Sequence, residues 1–159
     1  YNVPGRTAVD MSVDTTSRLS EISNIIGIKD ATGDLSVIKE LVAKCPEDFL
    51  LLTGDDATAI DFLLLGGHGG ISVTANVTPR ELQKAYLAGI AGNTELAKKL
   101  NEGLSGLHKN LFIESNPIPV KWALHKMGKC DNGIRLPLLE LSNECKTVLE
   151  NDLKELNLI

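Results

Sequence analysis

The stretch Ile25-Ile26-Gly27-Ile28-Lys29-Asp30-Ala31-Thr32-Gly33-Asp34 decides the fold. Its aliphatic first half reads as a β-strand over Ile25–Lys29, and Asp34 is placed to cap a helix. In that helix Leu35, Ile38, Leu41 and Val42 recur at three- and four-residue steps until Cys45-Pro46 stops it. Two more units of this kind follow. Phe49 to Thr53 is an apolar run closed by Gly54-Asp55-Asp56, and a helix carrying Ala59, Ile60, Leu63 and Leu64 ends at Gly66-Gly67. Gly70 to Ala75 reads as a third strand, and Thr78-Pro79-Arg80-Glu81 has the form of a capping box with proline at the first helical position. That helix is expected to run to about Ile90.

Strands followed by helices across links this short must lie parallel. Continuous apolar strands with a helix in every gap suit a sheet buried on both faces, in a barrel or a doubly wound sheet. Periodicity does not choose between the two. From Asn93 the strand signal stops. Leu96, Leu100, Leu104, Leu107 and Leu111 follow helical spacing, Asn116-Pro117 opens a second helix ending at Gly128, and Ser142 caps a third. The expected organisation is an α/β unit over 1–92 and an all-helical region over 93–159.

Composition narrows the function classes. Of 159 residues 43% are hydrophobic and 23% charged, as in a globular domain, and only 4% are aromatic, so the core is aliphatic. A net charge of −5 without a basic block argues against nucleic acid as a partner. No apolar run is long enough to cross a bilayer and no leader pattern stands at the start, so the chain reads as soluble and cytoplasmic. Cys45, Cys130 and Cys145 have neither disulfide-framework nor zinc spacing, and His68, His108 and His125 lie on separate elements. No metal site is expected.

Lys29 is the most unusual residue, because it ends an aliphatic strand instead of lying on a polar helix face. In a parallel barrel that end of a strand is where active sites form. Burial there would lower the lysine pKa and expose the neutral amine that forms a Schiff base. The competing reading is a lysine that snorkels outward or pairs with Asp30. Asp30 to Asp34 reads as a helix-entry turn rather than an anion loop. Asp55 and Asp56 read as helix caps rather than an acid–base pair, and His68 as a residue of a glycine-rich turn. With Lys29, the opening Tyr1-Asn2-Val3-Pro4-Gly5-Arg6-Thr7 supplies a phenol for proton relay and a guanidinium for a carboxylate.

Four stretches, Y-N-V-P-G-R-T, G-I-K-D-A-T-G-D, T-G-D-D-A-T and G-G-H-G-G-I-S-V-T-A-N, together with N-P-I-P-V-K in the tail, resemble the dihydrodipicolinate synthase family in order and spacing. The resemblance implies the C-terminal portion, about strands 5–8, of a (β/α)8 TIM barrel followed by a helical region. It implies that Lys29 forms an imine with pyruvate, that Tyr1 relays protons and that Arg6 anchors the carboxylate of aspartate semialdehyde. The carbonyls of Gly54 and Ile71 would line the pocket. No metal or organic cofactor is implied, since the protonated imine is the electron sink. Neuraminate lyase and the keto-deoxy sugar-acid aldolases share the tyrosine and the lysine but generally lack an arginine in this turn, so Arg6 favours the synthase.

The resemblance further implies that the first four strands are missing from this stretch. With them would go the hydroxyl pair that binds pyruvate's carboxylate, a second tyrosine given by a neighbouring subunit, and the lysine feedback site. Three parallel strands cannot close a barrel. The chain is therefore expected to be a piece of a longer protein, partnered by the N-terminal half of the barrel and assembled as a homotetramer or dimer. The isolated piece is expected to be inactive, leaving at most a role as an interaction module.

Overall fold

The computed structural model describes all 159 residues. Its sheet has three parallel strands in the order β1 (Gly27–Asp30), β2 (Leu50–Thr53) and β3 (Gly69–Gly70). The register sets Lys29 beside Leu52 and Asp30 beside Thr53, then Thr53 beside Gly70. Asn2 adds one parallel bridge to Asp30 on the other side of β1. Four chain segments thus lie side by side in an open arc, with Tyr1, Lys29, Thr53 and Gly70 near one end of it.

Each helix forms where local signals converge. Asp34 accepts from the Ser36 N–H at 2.8 Å and starts α3 (Leu35–Lys44), while Cys45 and Pro46 end it. Before it, α1 (Pro4–Thr7) is a single turn and α2 (Val13–Ser20) is capped by Ser12, whose hydroxyl accepts from Thr15 N–H at 3.2 Å. Then come α4 (Ala59–Leu64) and α5 (Pro79–Ile90). Gly66, at φ +108°, reverses the chain after α4 in a conformation that L side chains rarely adopt. Beyond the sheet lie α6 (Thr94–Glu102), α7 (Ser105–Asn110), α8 (Ile118–Lys126) and α9 (Asn143–Glu155), the last capped by Ser142.

Two aliphatic cores hold these elements. One joins Ile28 and Leu51 to Ile38, Leu41, Ile60, Leu63 and Ala85 from α3, α4 and α5, and reaches Ala97 of α6. The other gathers Leu107, Leu111, Trp122, Leu149 and Leu153 around Val77.

Four expectations change. The third strand is not Gly70–Ala75: it stops at Gly70, and Thr74–Asn76 is a 3-10 turn. The physical reason is that the Val73 and Thr74 N–H groups bond to the carboxylate of Asp56 instead of to a strand. The capping box at Thr78 does not form, since its hydroxyl is buried and makes no hydrogen bond; proline at the first position starts α5 without it. The leucine run from Leu96 to Leu111 is two helices, broken at Gly103-Leu104. Finally, helices cover one face of the sheet. Ile28, Asp30, Leu51 and Thr53 are buried beneath them, whereas Lys29 and Leu52 on the other face are half-exposed and Leu50 is 41% exposed.

Candidate active site

The pairing of the opening segment with β1 sets the geometry. Asn2 N–H donates to the Lys29 carbonyl at 2.9 Å, and Ala31 N–H donates to the Asn2 carbonyl at 2.9 Å. The buried Asn2 side chain reinforces this, with Nδ2 donating to Asp30 Oδ2 at 2.9 Å and to Asp10 Oδ1 at 2.8 Å. Successive residues of an extended segment face opposite ways, so Tyr1 and Lys29 share the face away from the helices. There the Lys29 Nζ stands 4.2 Å from the centroid of the Tyr1 ring. An ammonium over an aromatic face is held by the ring quadrupole.

The alternative pairing of Lys29 with Asp30 is absent. Asp30 points to the buried face and accepts from Asn2 Nδ2 and from the Thr32 N–H and hydroxyl. None of the ion pairs in the structure includes Lys29. Thr32 and Asp34 make Asp30–Asp34 a helix-entry turn, as expected.

Lys29 reaches over the end of β2 at Gly54, whose missing side chain leaves room for it. A Cβ on Gly54 would lie 2.6 Å from Lys29 Cε and 3.0 Å from Ala31 Cβ. The Gly54 N–H donates to the Asp30 carbonyl at 2.7 Å, and the Ile71 N–H donates to the Thr53 carbonyl at 2.8 Å. These bonds fix both residues at the strand ends. Arg6, exposed at the rim, donates through Nη2 to the Asn116 carbonyl at 3.4 Å.

Tyr1, Arg6, Lys29, Gly54 and Ile71 all line one open cleft of about 830 Å³. The sequence reading missed the wall that the helical region and the segment after β3 supply. It consists of Val73 beyond β3, His108 and Lys109 of α7, and Phe112 to Asn116 after it. A signal for His108 was present: it falls four residues after Leu104 and three before Leu111, on the buried face of the leucine run.

Asp55 and Asp56 divide their work. Asp55 Oδ2 accepts from the Thr58 N–H at 3.0 Å and its hydroxyl at 2.7 Å, which steadies the entry to α4 as a cap does. Asp56 is not a cap, contrary to expectation: it is buried, and holds Val73 and Thr74 across the cleft floor. Burial keeps the His108 imidazole below its ordinary pKa, against the pull of Asp56 and Asp55. His68 serves its turn by accepting from the Leu51 N–H through Nδ1 at 3.0 Å. The three cysteines are free, and no group of three or more His, Cys, Asp and Glu residues gathers to hold a metal. No helix is long and apolar enough to cross a membrane.

Comparison with known proteins gives this arrangement a family. The model of the "Dihydrodipicolinate synthetase family" matches residues 1–156. A 4-hydroxy-tetrahydrodipicolinate synthase of Ruthia magnifica is 60% identical over the whole chain, which covers 54% of that relative's length. One from Pseudomonas aeruginosa is 54% identical over 155 residues, 98% of this chain and 53% of the relative. Among solved structures, dihydrodipicolinate synthase from Acinetobacter baumannii, complexed with pyruvate, superposes with a TM-score of 0.97 at 51% identity, covering all of this chain and 55% of that one. The Aquifex aeolicus synthase gives 0.96 at 42% identity, over 99% and 54%. The chain spans about half the length of the curated relatives it matches, and its architecture is the C-terminal part of a TIM barrel. The cleft with Lys29 at its strand end, the matched barrels and a family model covering nearly every residue agree: the chain belongs to the dihydrodipicolinate synthetase family.

Proposed function

We propose that this chain, joined to the remaining strands of its barrel, condenses pyruvate with aspartate semialdehyde to 4-hydroxy-tetrahydrodipicolinate. The observation that carries the reading is Lys29 Nζ, 4.2 Å from the Tyr1 ring and free of any ion pair, in the cleft that also holds Arg6, Gly54 and Ile71.

The neutral Lys29 amine attacks the carbonyl carbon of pyruvate, and the carbinolamine expels water to give a protonated imine. The imine nitrogen draws electrons from the pyruvate methyl, which loses a proton to leave an enamine; no other cofactor is required. The enamine carbon attacks the aldehyde, whose oxygen takes a proton and becomes the hydroxyl. The amine of the semialdehyde unit then attacks the imine carbon, closing the ring and releasing Lys29. One water is lost overall. Tyr1 relays the protons. Arg6 receives the second substrate's carboxylate in a bidentate fork. The carbonyls of Gly54 and Ile71 face the bound pyruvate.

Residues 1–92 would form their share of the barrel and 93–159 a helical region beside it. The barrel's other half would cover the unpaired side of β3, where an apolar groove of about 320 Å³ runs between Gly69, Gly70, Tyr86, Leu87 and Ile90. Leu87 is 59% exposed there. The working enzyme would be a cytoplasmic homo-oligomer of lysine and diaminopimelate synthesis. The test is reduction with borohydride in the presence of pyruvate, then peptide mass mapping. An adduct on Lys29, lost in Lys29→Ala, is expected; an adduct on another lysine, or none, would overturn the reading.

A further inference from the structure

The cleft floor carries a chain of polar side chains that the condensation does not use. Asp56 is 2% exposed, and its Oδ2 accepts from Val73 N–H at 3.0 Å and Thr74 N–H at 3.2 Å. The Thr74 hydroxyl, fully buried, lies 2.9 Å from His108 Nδ1, and His108 Nε2 lies 3.0 Å from Asn101 Oδ1. Counting donors orients the chain. An amide oxygen only accepts, so His108 carries its proton on Nε2 and gives it to Asn101. Nδ1 is then an acceptor, and the Thr74 hydroxyl is the donor beside it. Thr74 has one proton to give. Its hydroxyl stands 3.4 Å from Asp56 Oδ2 and 2.9 Å from His108 Nδ1; neutral His108, the nearer acceptor, takes the proton, and Asp56 keeps the two backbone N–H groups while its Oδ1 has no partner.

We propose that His108 is a positioning residue for the Lys29 reaction: by accepting from Thr74 it locks the Ile71–Thr74 wall of the cleft against α7. This rests on the reading of Lys29 as the imine-forming residue. The wall needs such a lock because β3 ends at Gly70, so no neighbouring strand takes the Val73 and Thr74 N–H groups. Asp56 holds them from below and His108 holds Thr74 from the side. Ile71 and Val73 from this segment line the same cleft as Lys29, and so does His108 itself. Among the residues that line the cleft, Arg6 makes a longer side-chain hydrogen bond to the helical region, to the Asn116 carbonyl at 3.4 Å on an exposed rim, and away from the cleft Lys98 pairs with Asp61 at 3.3 Å. A wall free to drift by an ångström would misplace the Ile71 carbonyl, and shifts of that size cost up to ~100-fold in rate.

The experiment compares Thr74→Val, which keeps the shape and removes the hydroxyl, with Thr74→Ser, which keeps the hydroxyl. Both are made in an enzyme that joins this chain to the rest of its barrel. Hydrogen exchange at the Val73 and Thr74 amides reports the wall, and the rate of borohydride-trapped pyruvate adduct on Lys29 reports the reaction. Thr74→Val is expected to speed exchange and slow trapping, each roughly tenfold, as loss of a buried hydrogen bond does. Thr74→Ser restores both, His108→Phe repeats the valine effect, and the double variant His108→Phe with Thr74→Val adds nothing further. Unchanged exchange in Thr74→Val overturns the lock. Faster exchange with unchanged trapping overturns the positioning role. A parent enzyme that forms no adduct refutes the Lys29 reading by itself, and the exchange comparison still decides whether His108 holds the wall.

Discussion

Replacing Gly54 by alanine tests the site's geometry at its tightest point. The added methyl would meet Lys29 Cε at 2.6 Å and Ala31 Cβ at 3.0 Å, whereas ordinary contact begins at 3.4 Å. The Lys29 chain can yield because it is flexible, but its tip must retreat by about 0.8 Å, with the Tyr1 ring already on one side. Overpacking of this kind costs about 1–3 kcal/mol of stability. The effect on chemistry is larger, since a misplacement near 1 Å costs on the order of 100-fold. The assay is the rate of pyruvate adduct formation on Lys29 in the barrel-complete enzyme, beside its urea midpoint. Gly133→Ala, where an added methyl meets nothing within 4 Å, is the control and is expected to match the parent. Trapping in Gly54→Ala at the parent rate would refute the claim that this glycine makes room for the lysine.

Arg6→Ala should leave adduct formation intact and raise the KM for aspartate semialdehyde roughly 10- to 100-fold, the worth of a charge-assisted carboxylate contact; loss of trapping would mean the arginine serves the first substrate. Leu149→Ala, in the second core at 0% exposure, should lower stability by about 2–5 kcal/mol in urea, whereas Val148→Ala, 38% exposed on the same helix, should cost far less. Stability should also fall with acid through His108, which burial holds below its ordinary pKa of 6.5 while Asp56 and Asp55 pull upward. The unfolded chain takes that proton first, so the contribution is whole above pH 6.5 and is lost as pH drops through the lower folded value. The urea midpoint of His108→Phe is expected to change less between pH 7 and 5.5 than the parent's, and equal slopes would count against it.

The parts legible in the sequence were those set by local chemistry. Asp34, Ser142 and the Cys45-Pro46 stop each act within a few residues, and so they fixed helix ends that the structure keeps. The third strand failed because its backbone partner is distant: Asp56 lies 17 and 18 residues before the amides it takes from the ladder. Thr78 failed for a different reason: helix packing buries its hydroxyl without any hydrogen bond, a placement that the local capping pattern does not register. At the site, position alone singled out Lys29 but left snorkelling open, and the motif resemblance brought in Tyr1, Arg6, Gly54 and Ile71. All five line one cleft. The wall from the helical region was illegible because His108 meets Thr74 across 34 residues, a contact made by helix packing rather than by spacing.

The proposed chemistry stands or falls on the Lys29 amine as the nucleophile toward pyruvate. Its most direct measurement is the mass of the borohydride-reduced protein after incubation with pyruvate, with the modified residue located by peptide mapping in the barrel-complete enzyme. One adduct per chain is expected, on Lys29, suppressed in Gly54→Ala and absent in Lys29→Ala. An adduct that persists in Lys29→Ala would contradict it.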